Sequence, residues 1–284
     1  MSNVIHTRNE AEFHELVDSL MPIAADSHKG KNGKLLVIGG GNLFHAPLIW
    51  AAEIASRMVD MVHVASAAEE NDVLMRWRLK KNFWNGIVIP WKKIDDYIME
   101  DDCVLIGPGM AREEGLSLNE RSTATIVNDL LSRFPDTRWV IDGGALQEVD
   151  PALLNENMIV TPHQKEWERL LIKSKFESIN PHQDIQRYSL EHRGLTILLK
   201  GPTDVVVRGE EIVSVEGGNA GMTKGGTGDV LAGLTAALAT KNDLFLAAQV
   251  GSVVNKRAGD ALFDRVGPYF NASDLVLEIP HQLR

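Results

Sequence analysis

The sequence predicts an α/β fold in which a mostly parallel central sheet is covered by helices on both faces. Three observations carry this reading. Short β-branched runs alternate with longer helical patterns along most of the chain, the rhythm of repeated βαβ units. Several of the runs are hydrophobic almost without a break, as strands buried on both faces must be. Most of them end in Gly, Pro, Asp or His, which marks the strand ends beyond which an open α/β sheet binds its ligands.

Taken in order, residues 1–25 read as a leading helical segment, packed on the body or on a neighbouring subunit. Strands are predicted at "KLLVIGG" from Lys34, "MVHVASA" from Met61, "GIVIP" from Gly86, "VLIGPG" from Val104, "RWVIDGG" from Arg138, "MIVTPH" from Met158 and "TILLKG" from Thr196. Between them "APLIWAAEIASRM", "RSTATIVNDLLSRF" and "KEWERLLI" have helical spacing. "DVVVRGEEIVSVEGG" reads as a hairpin turning near Gly209, and "DVLAGLTAALA" and "DLFLAAQVGSVVNKRAGDAL" as two core helices. Repeats, low-complexity tracts and domain-separating linkers are not evident, so residues 1–284 are read as a single domain.

At 284 residues, with 44% hydrophobic and 24% charged residues, the chain has the composition of a soluble globular protein. A net charge of -10 argues against nucleic acid as a partner, while leaving room for a local basic pocket that holds a small phosphorylated ligand. The lone Cys103 permits no disulfide within the chain and reads as a small buried strand residue. Neither a signal sequence nor an apolar run of the ~20 residues that span a bilayer is evident, so a cytoplasmic location with no membrane partner is expected.

The chemistry concentrates in "NAGMTKGGTGDVLAG", from Asn219 to Gly233. Its glycines permit positive φ and close approach of a ligand, and the apolar run after them makes a helix start with unpaired N–H groups, an anion hole. Asp229 would repel that anion; it either caps the helix or takes a proton from a nucleophile attacking the phosphate. Gly39, Gly40 and Gly41 lack the spacing of a dinucleotide fingerprint; they form either a floor for a ligand or a tight turn. Gly107, Pro108 and Gly109 offer the same choice. In "VTPHQKEWERLL", His163 and Glu166 lie one turn apart on a helix start. Glu166 either complements the dipole or holds a water of Mg²⁺. Lys200 ends a strand on the same side, either meeting a phosphate or solvated at the surface. The histidines lack zinc-ligand spacing, and no Gly-x-Ser-x-Gly elbow is present.

In order along the chain, "HKGKNGKLLVIGG", "IGPG", "VIDGGAL", "VTPHQKE", "LLKG" and "NAGMTKGGTGDVLAG" resemble the ADP- or ATP-dependent NAD(P)H-hydrate dehydratases, a branch of the ribokinase-like superfamily. The resemblance runs from His28 to about Leu262. "GTGD" alone indicates the superfamily; "TPHxxE" together with "NxGMxxGGTGD" is specific to the dehydratase branch. It implies a ribokinase-like fold and a metabolite-repair lyase that returns hydrated NADH or NADPH (NADHX, NADPHX) to NADH or NADPH while splitting ADP or ATP, with Mg²⁺, in a homo-oligomer. The family's epimerase half, sometimes fused at the N-terminus, is not expected here.

The resemblance further implies that Asp229 is the base and a substrate contact. Lys200, Gly201, Pro202, Thr203 and Asp204, with Gly225, Gly226, Thr227 and Gly228, would hold the nucleotide. Ala46, Gly107, Gly109 and His163 would line the hydrated-cofactor pocket; the water-mediated metal contact of Glu166 is a reading of the residues alone. The chain departs from the pattern at three places: Gly144 stands where a second aspartate is usual, His45 replaces the glycine before Ala46, and no glycine occurs near Val59. The last two are expected to crowd the pocket floor. The alternatives are a small-molecule alcohol kinase of the same superfamily, of thiazole or pyrimidine type, and a catalytically silent nucleotide-binding sensor, which Gly144 keeps open.

Overall fold

The computed structural model describes residues 3–68, 73, 85–111 and 122–283. Its centre is a ten-stranded sheet in the order β1-β10-β9-β8-β7-β6-β5-β2-β3-β4. The strands are β1 (Asn3–His6), β2 (Lys34–Ile38), β3 (Met61–Ala65), β4 (Ile87–Val88), β5 (Cys103–Ile106), β6 (Trp139–Ile141), β7 (Met158–Val160), β8 (Thr196–Leu199), β9 (Thr203–Arg208) and β10 (Glu211–Glu216). Neighbours pair in parallel except around β9, which runs antiparallel to both β8 and β10. Every predicted strand is found, and the hairpin turns at Gly209, whose φ of 57° is left-handed.

Strand residues alternate between two cores, as the period-two pleat dictates. Leu35, Val37, Cys103 and Leu105 face one core, and Leu36, Ile38, Val104 and Ile106 the other. The first core is covered by α1 (Glu10–Asp18), α2 (Ala46–Ala55), α8 (Thr227–Ala239), α9 (Leu244–Val266) and α10 (Ala272–Gln282). The second is covered by α3 (Ile94–Glu100), α4 (Thr123–Arg133), α5 (Gly143–Glu148), α6 (Gln164–Lys173) and α7 (Pro181–Glu191). Helices α3, α5, α7 and α10 have no counterpart among the predicted elements. Burial pushes the Cys103 thiol up to about 12, the inert state of a core strand residue.

The leading segment differs from expectation. Rather than beginning as a helix, it contributes β1, which pairs in parallel with β10 and closes one edge of the sheet; a helix follows only after Asn9, whose side chain caps Ala11 and Glu12. The unpaired N–H and C=O groups of β10 favour a strand there over helix propensity. Val59 is also displaced from its expected place. It precedes β3, at the sheet edge opposite the ligand loops, and packs in the core beside Gly33. The first residue of the predicted helical stretch "RSTATIVNDLLSRF", Arg121, lies outside the described residues. No described helix is long and apolar enough to cross a membrane.

Helix α8 lies between α2, α9 and the sheet, and from Val230 to Ala239 every residue is buried. This explains its almost uniformly apolar sequence. Its approach to α2 depends on Gly233, where an added Cβ would lie 2.7 Å from the Ala51 Cα. Gly233→Ala should therefore destabilise the fold by about 1–3 kcal/mol through overpacking, although the same change in an exposed helix would stabilise it by up to ~1 kcal/mol. Urea denaturation of the two proteins measures the sign.

Candidate active site

The C-terminal ends of β8, β7 and β6 converge with the start of α8. Lys200 directly follows β8, and its Nζ donates to Asp142 Oδ1 at 2.8 Å. Asp142 directly follows β6 and also accepts from Thr161 Oγ1 at 2.7 Å. The Lys200 main chain is pinned through its N–H to Pro162 O at 2.7 Å. Opposite, a Cβ placed on Gly228 would sit 3.6 Å from Lys200 Nζ, ordinary contact distance, which places the ammonium against the first turn of α8. Burial pulls the Lys200 ammonium down, but Asp142, Glu166 and Asp229 more than offset it and hold it above its ordinary value.

Asp229 is not the helix cap. Gly226 is, in the left-handed conformation at φ 98° and with no side-chain bond, which makes Asp229 the third helical residue. Thr227 Oγ1 closes the preceding turn by donating to Met222 O at 2.7 Å and Lys224 O at 2.9 Å. Lys224 ties that turn to the following loop by donating to Phe270 O at 2.7 Å and to Pro268 O. Burial, then the charge of Asp142, pushes the Asp229 carboxyl up to about 7, against the pull of Lys200. A carboxyl poised there exchanges protons near neutral pH.

Lys200, Gly201, Pro202, Asp204, Thr227, Gly228 and His163 all border one cavity of about 660 Å³. Thr203, Gly225 and Gly226 adjoin it in sequence without lining it. Gly225 has open space around it, whereas a Cβ on Gly226 would strike the Trp50 ring at 2.5 Å. Asp204 is 4% exposed and accepts from Gly201 N and Ser252 Oγ, each at 2.8 Å. It also lies 3.4 Å from Lys256 Nζ, so it shapes the loop from within.

His163 and Glu166 form a capping box at the start of α6. Glu166 N donates to His163 Nδ1 at 3.2 Å, and His163 N donates to Glu166 Oε2 at 3.0 Å. Gln147 Nε2 donates to the other Glu166 oxygen at 3.2 Å. The dipole reading of Glu166 is thus realised, and with both oxygens engaged the group suits a water-mediated metal contact better than a direct one. Among the described residues no group of three His, Cys, Asp or Glu could hold a metal ion.

Ala46, Gly107 and Gly109 lie away from this cavity, around the ends of β2 and β5. Here the glycines admit other backbone: a Cβ on Gly39 would overlap Pro108 O, one on Gly107 the Asp142 carbonyl, and one on Gly109 Phe44 O. Gly40 N donates to Pro108 O at 2.7 Å. His45 is exposed. Gly144 has a packing reason of its own, since a Cβ there would overlap Met110 O; an aspartate could not be accommodated without moving the 107–110 turn.

Sequence reasoning missed Asp142 and Lys256 as site residues. Lys256 is 5% exposed and donates to Gly201 O and Pro202 O, each at 3.0 Å, and to Gly217 O at 3.2 Å. Its signal was a lysine inside the otherwise buried stretch "GSVVNK" of α9.

The fold is ribokinase-like: a ribokinase-like superfamily protein of Enterococcus faecalis superposes with a TM-score of 0.81 at 22% identity over 99% of this chain and 95% of that one. The crystal structure of the ADP/ATP-dependent NAD(P)H-hydrate dehydratase of Bacillus subtilis, co-crystallised with ATP/Mg²⁺, superposes with a TM-score of 0.74 at 22% identity over 95% of each chain. The chain belongs to the NAD(P)H-hydrate dehydratase family, whose model matches residues 35–281. It is 32% identical to the ADP-dependent (S)-NAD(P)H-hydrate dehydratase of Nitrosopumilus maritimus over 267 residues, 89% of either protein. It is 34% identical over 271 residues to the bifunctional NAD(P)H-hydrate repair enzyme Nnr of Methanocaldococcus jannaschii, covering 92% of this chain and 50% of that one. The chain therefore spans about half the length of that bifunctional relative.

Two stability measurements follow from this geometry. Lys256→Met leaves the buried Asp204 without its counter-charge and should cost about 3–5 kcal/mol; adding Asp204→Asn should recover part of the loss in urea unfolding. For Asp229 the folded state binds the proton more tightly than the unfolded chain, so its contribution to stability falls as pH rises from the ordinary carboxylate range through about 7. Asp229→Asn should match the wild type in thermal unfolding near pH 4 and exceed it at pH 8.

Proposed function

We propose that the protein dehydrates hydrated NADH or NADPH back to NADH or NADPH at the expense of ADP or ATP. Family membership supports the substrate class, and the observation that carries the chemistry is the position of Asp229. It stands in the first turn of α8, raised to about 7, beside the Lys200–Asp142 pair. The nucleotide would occupy the cavity between the Lys200–Asp204 loop and Gly228, with its terminal phosphate at the helix start, where the first amides have no intrahelical acceptor.

Asp229 would take the proton of the ring hydroxyl as that oxygen attacks the terminal phosphorus and the bond to the leaving nucleotide phosphate breaks. Lys200 and the amides of the Gly225–Gly228 turn would carry the phosphoryl charge. The carbon–oxygen bond to phosphate then breaks and the neighbouring ring carbon gives up a proton to water, forming the double bond of the reduced ring. Magnesium keeps most of its water and takes few protein carboxylates, so it would be held by the nucleotide phosphates and through water by Glu166, and would neutralise phosphate charge. Ala46, Gly107, Gly109 and His163 are proposed for the hydrated-cofactor side, with His163 at the boundary because it also borders the nucleotide cavity.

Incubation with hydrated NADH, Mg²⁺ and ADP or ATP, followed by the absorbance of the reduced nicotinamide, tests this reading. Recovery of absorbance is expected. A stable phosphoester product would instead mark an alcohol kinase, and nucleotide binding without turnover a sensor. Asp229→Asn should lower turnover at least ~10²-fold while nucleotide still binds, and wild-type kcat/KM should rise with pH and level off above about 7.

A further inference from the structure

One wall of the cavity is the loop from Gly217 to Ala220, which leads from β10 toward the glycine turn. Its backbone is left-handed at Gly217, φ 139°, and at Gly218, φ 78°, and glycine by itself leaves such a conformation freely. A carboxylate behind the wall holds it. Asp260, on α9, is 8% exposed; its Oδ2 accepts from Gly218 N at 3.1 Å and from Thr7 Oγ1 at 2.9 Å, and its Oδ1 from Asn219 Nδ2 at 3.3 Å. Asn219 in turn donates to Gly259 O at 2.8 Å and accepts from Gly221 N at 3.0 Å.

Thr7 comes from the other end of the chain. It directly follows β1, is 1% exposed and occupies the space that a side chain on Gly217 would need. Its own main chain is fixed on both sides, with Thr7 N donating to Glu216 O at 3.0 Å and Arg257 Nη1 donating to Thr7 O at 2.9 Å. The three groups that donate to Asp260 are all neutral. Keeping a carboxylate buried in this way is costly, and its bonds tie the end of β1, helix α9 and the cavity wall into one joint.

We infer that Asp260 and Thr7 are positioning residues for nucleotide binding: they hold the Gly217–Ala220 wall in the conformation that bounds the cavity, so the leading strand supports the site without lining it. This inference rests on the reading of the cavity as the nucleotide site. Without the Thr7 bond the two glycines gain other backbone conformations. Only molecules with an intact wall then bind, and the apparent affinity falls by the fraction that remains competent. Asp229, on α8, lies outside this joint, so turnover of the bound complex is retained.

The test is equilibrium binding of ADP and ATP with Mg²⁺, together with steady-state kinetics on hydrated NADH, for the wild type, Thr7→Val, Thr7→Ser and Asp260→Asn. Thr7→Val keeps the side chain's shape without its hydroxyl and should weaken nucleotide binding, and raise the nucleotide KM, at least ~5-fold, the equivalent of one hydrogen bond. Its kcat at saturating nucleotide and its KM for hydrated NADH should be retained. Thr7→Ser restores the hydroxyl and should bind nucleotide as the wild type does. Asp260→Asn turns an amide toward the Asn219 amide, leaves one donor without an acceptor, and should weaken nucleotide at least as much as Thr7→Val. If Asp260→Asn does not fold, the Thr7 variants decide alone, with Thr7→Ala in place of Thr7→Val should that protein not fold. A folded Thr7→Val with wild-type nucleotide affinity, one in which kcat falls or both KM values rise together, or a Thr7→Ser as weak as Thr7→Val overturns the positioning role and leaves the cavity's assignment standing. Failure of the wild type to bind either nucleotide overturns both.

Discussion

The Lys200–Asp142 ion pair sets the rest of the site in place. It joins the ends of β8 and β6 across β7 at 2.8 Å, with both side chains largely buried. A pair so placed adds little net stability, but losing one member would leave a charge stranded in a medium that solvates it poorly. Its value lies in what it arranges. The ammonium faces the first turn of α8, and Asp142 adds its charge to the burial that raises Asp229. The strand ends, the helix start and the Asp229 carboxyl therefore form one electrostatic unit.

Around that unit, rigidity comes from buried polar contacts that no ligand needs to touch. Asp204 and Lys256 hold the Gly201–Pro202 loop from beneath, and Lys224 clamps the glycine turn to the loop before α10. These contacts fix the two loops relative to the sheet and to the start of α8. The glycines divide between two duties. Gly226 supplies a left-handed cap beside the Trp50 ring, while Gly39, Gly107, Gly109 and Gly144 let neighbouring loops pass at backbone distance.

Much of this was legible in the chain. Strand positions followed from runs of β-branched residues because burial on both faces leaves little freedom of composition, and the motif order placed Lys200, His163, Glu166 and Gly228 on one edge. The leading strand was not legible: four residues carry too little pattern, and β1 exists because β10 offers it an open edge. The absent aspartate at Gly144 looked like a lost function, yet the Met110 carbonyl that excludes it comes from a distant turn.

The sequence by itself determined the α/β class and the glycine turn that feeds a buried helix, because these depend on periodicity and on local backbone chemistry. Only the tertiary structure decided that Asp229 stands third in α8 rather than capping it, and that Asp142 and Lys256 gather with Lys200 and Asp204 at the strand ends. Each of those facts depends on which groups from distant segments share a buried space, where hydrogen bonds and charges are strong and water cannot substitute for them.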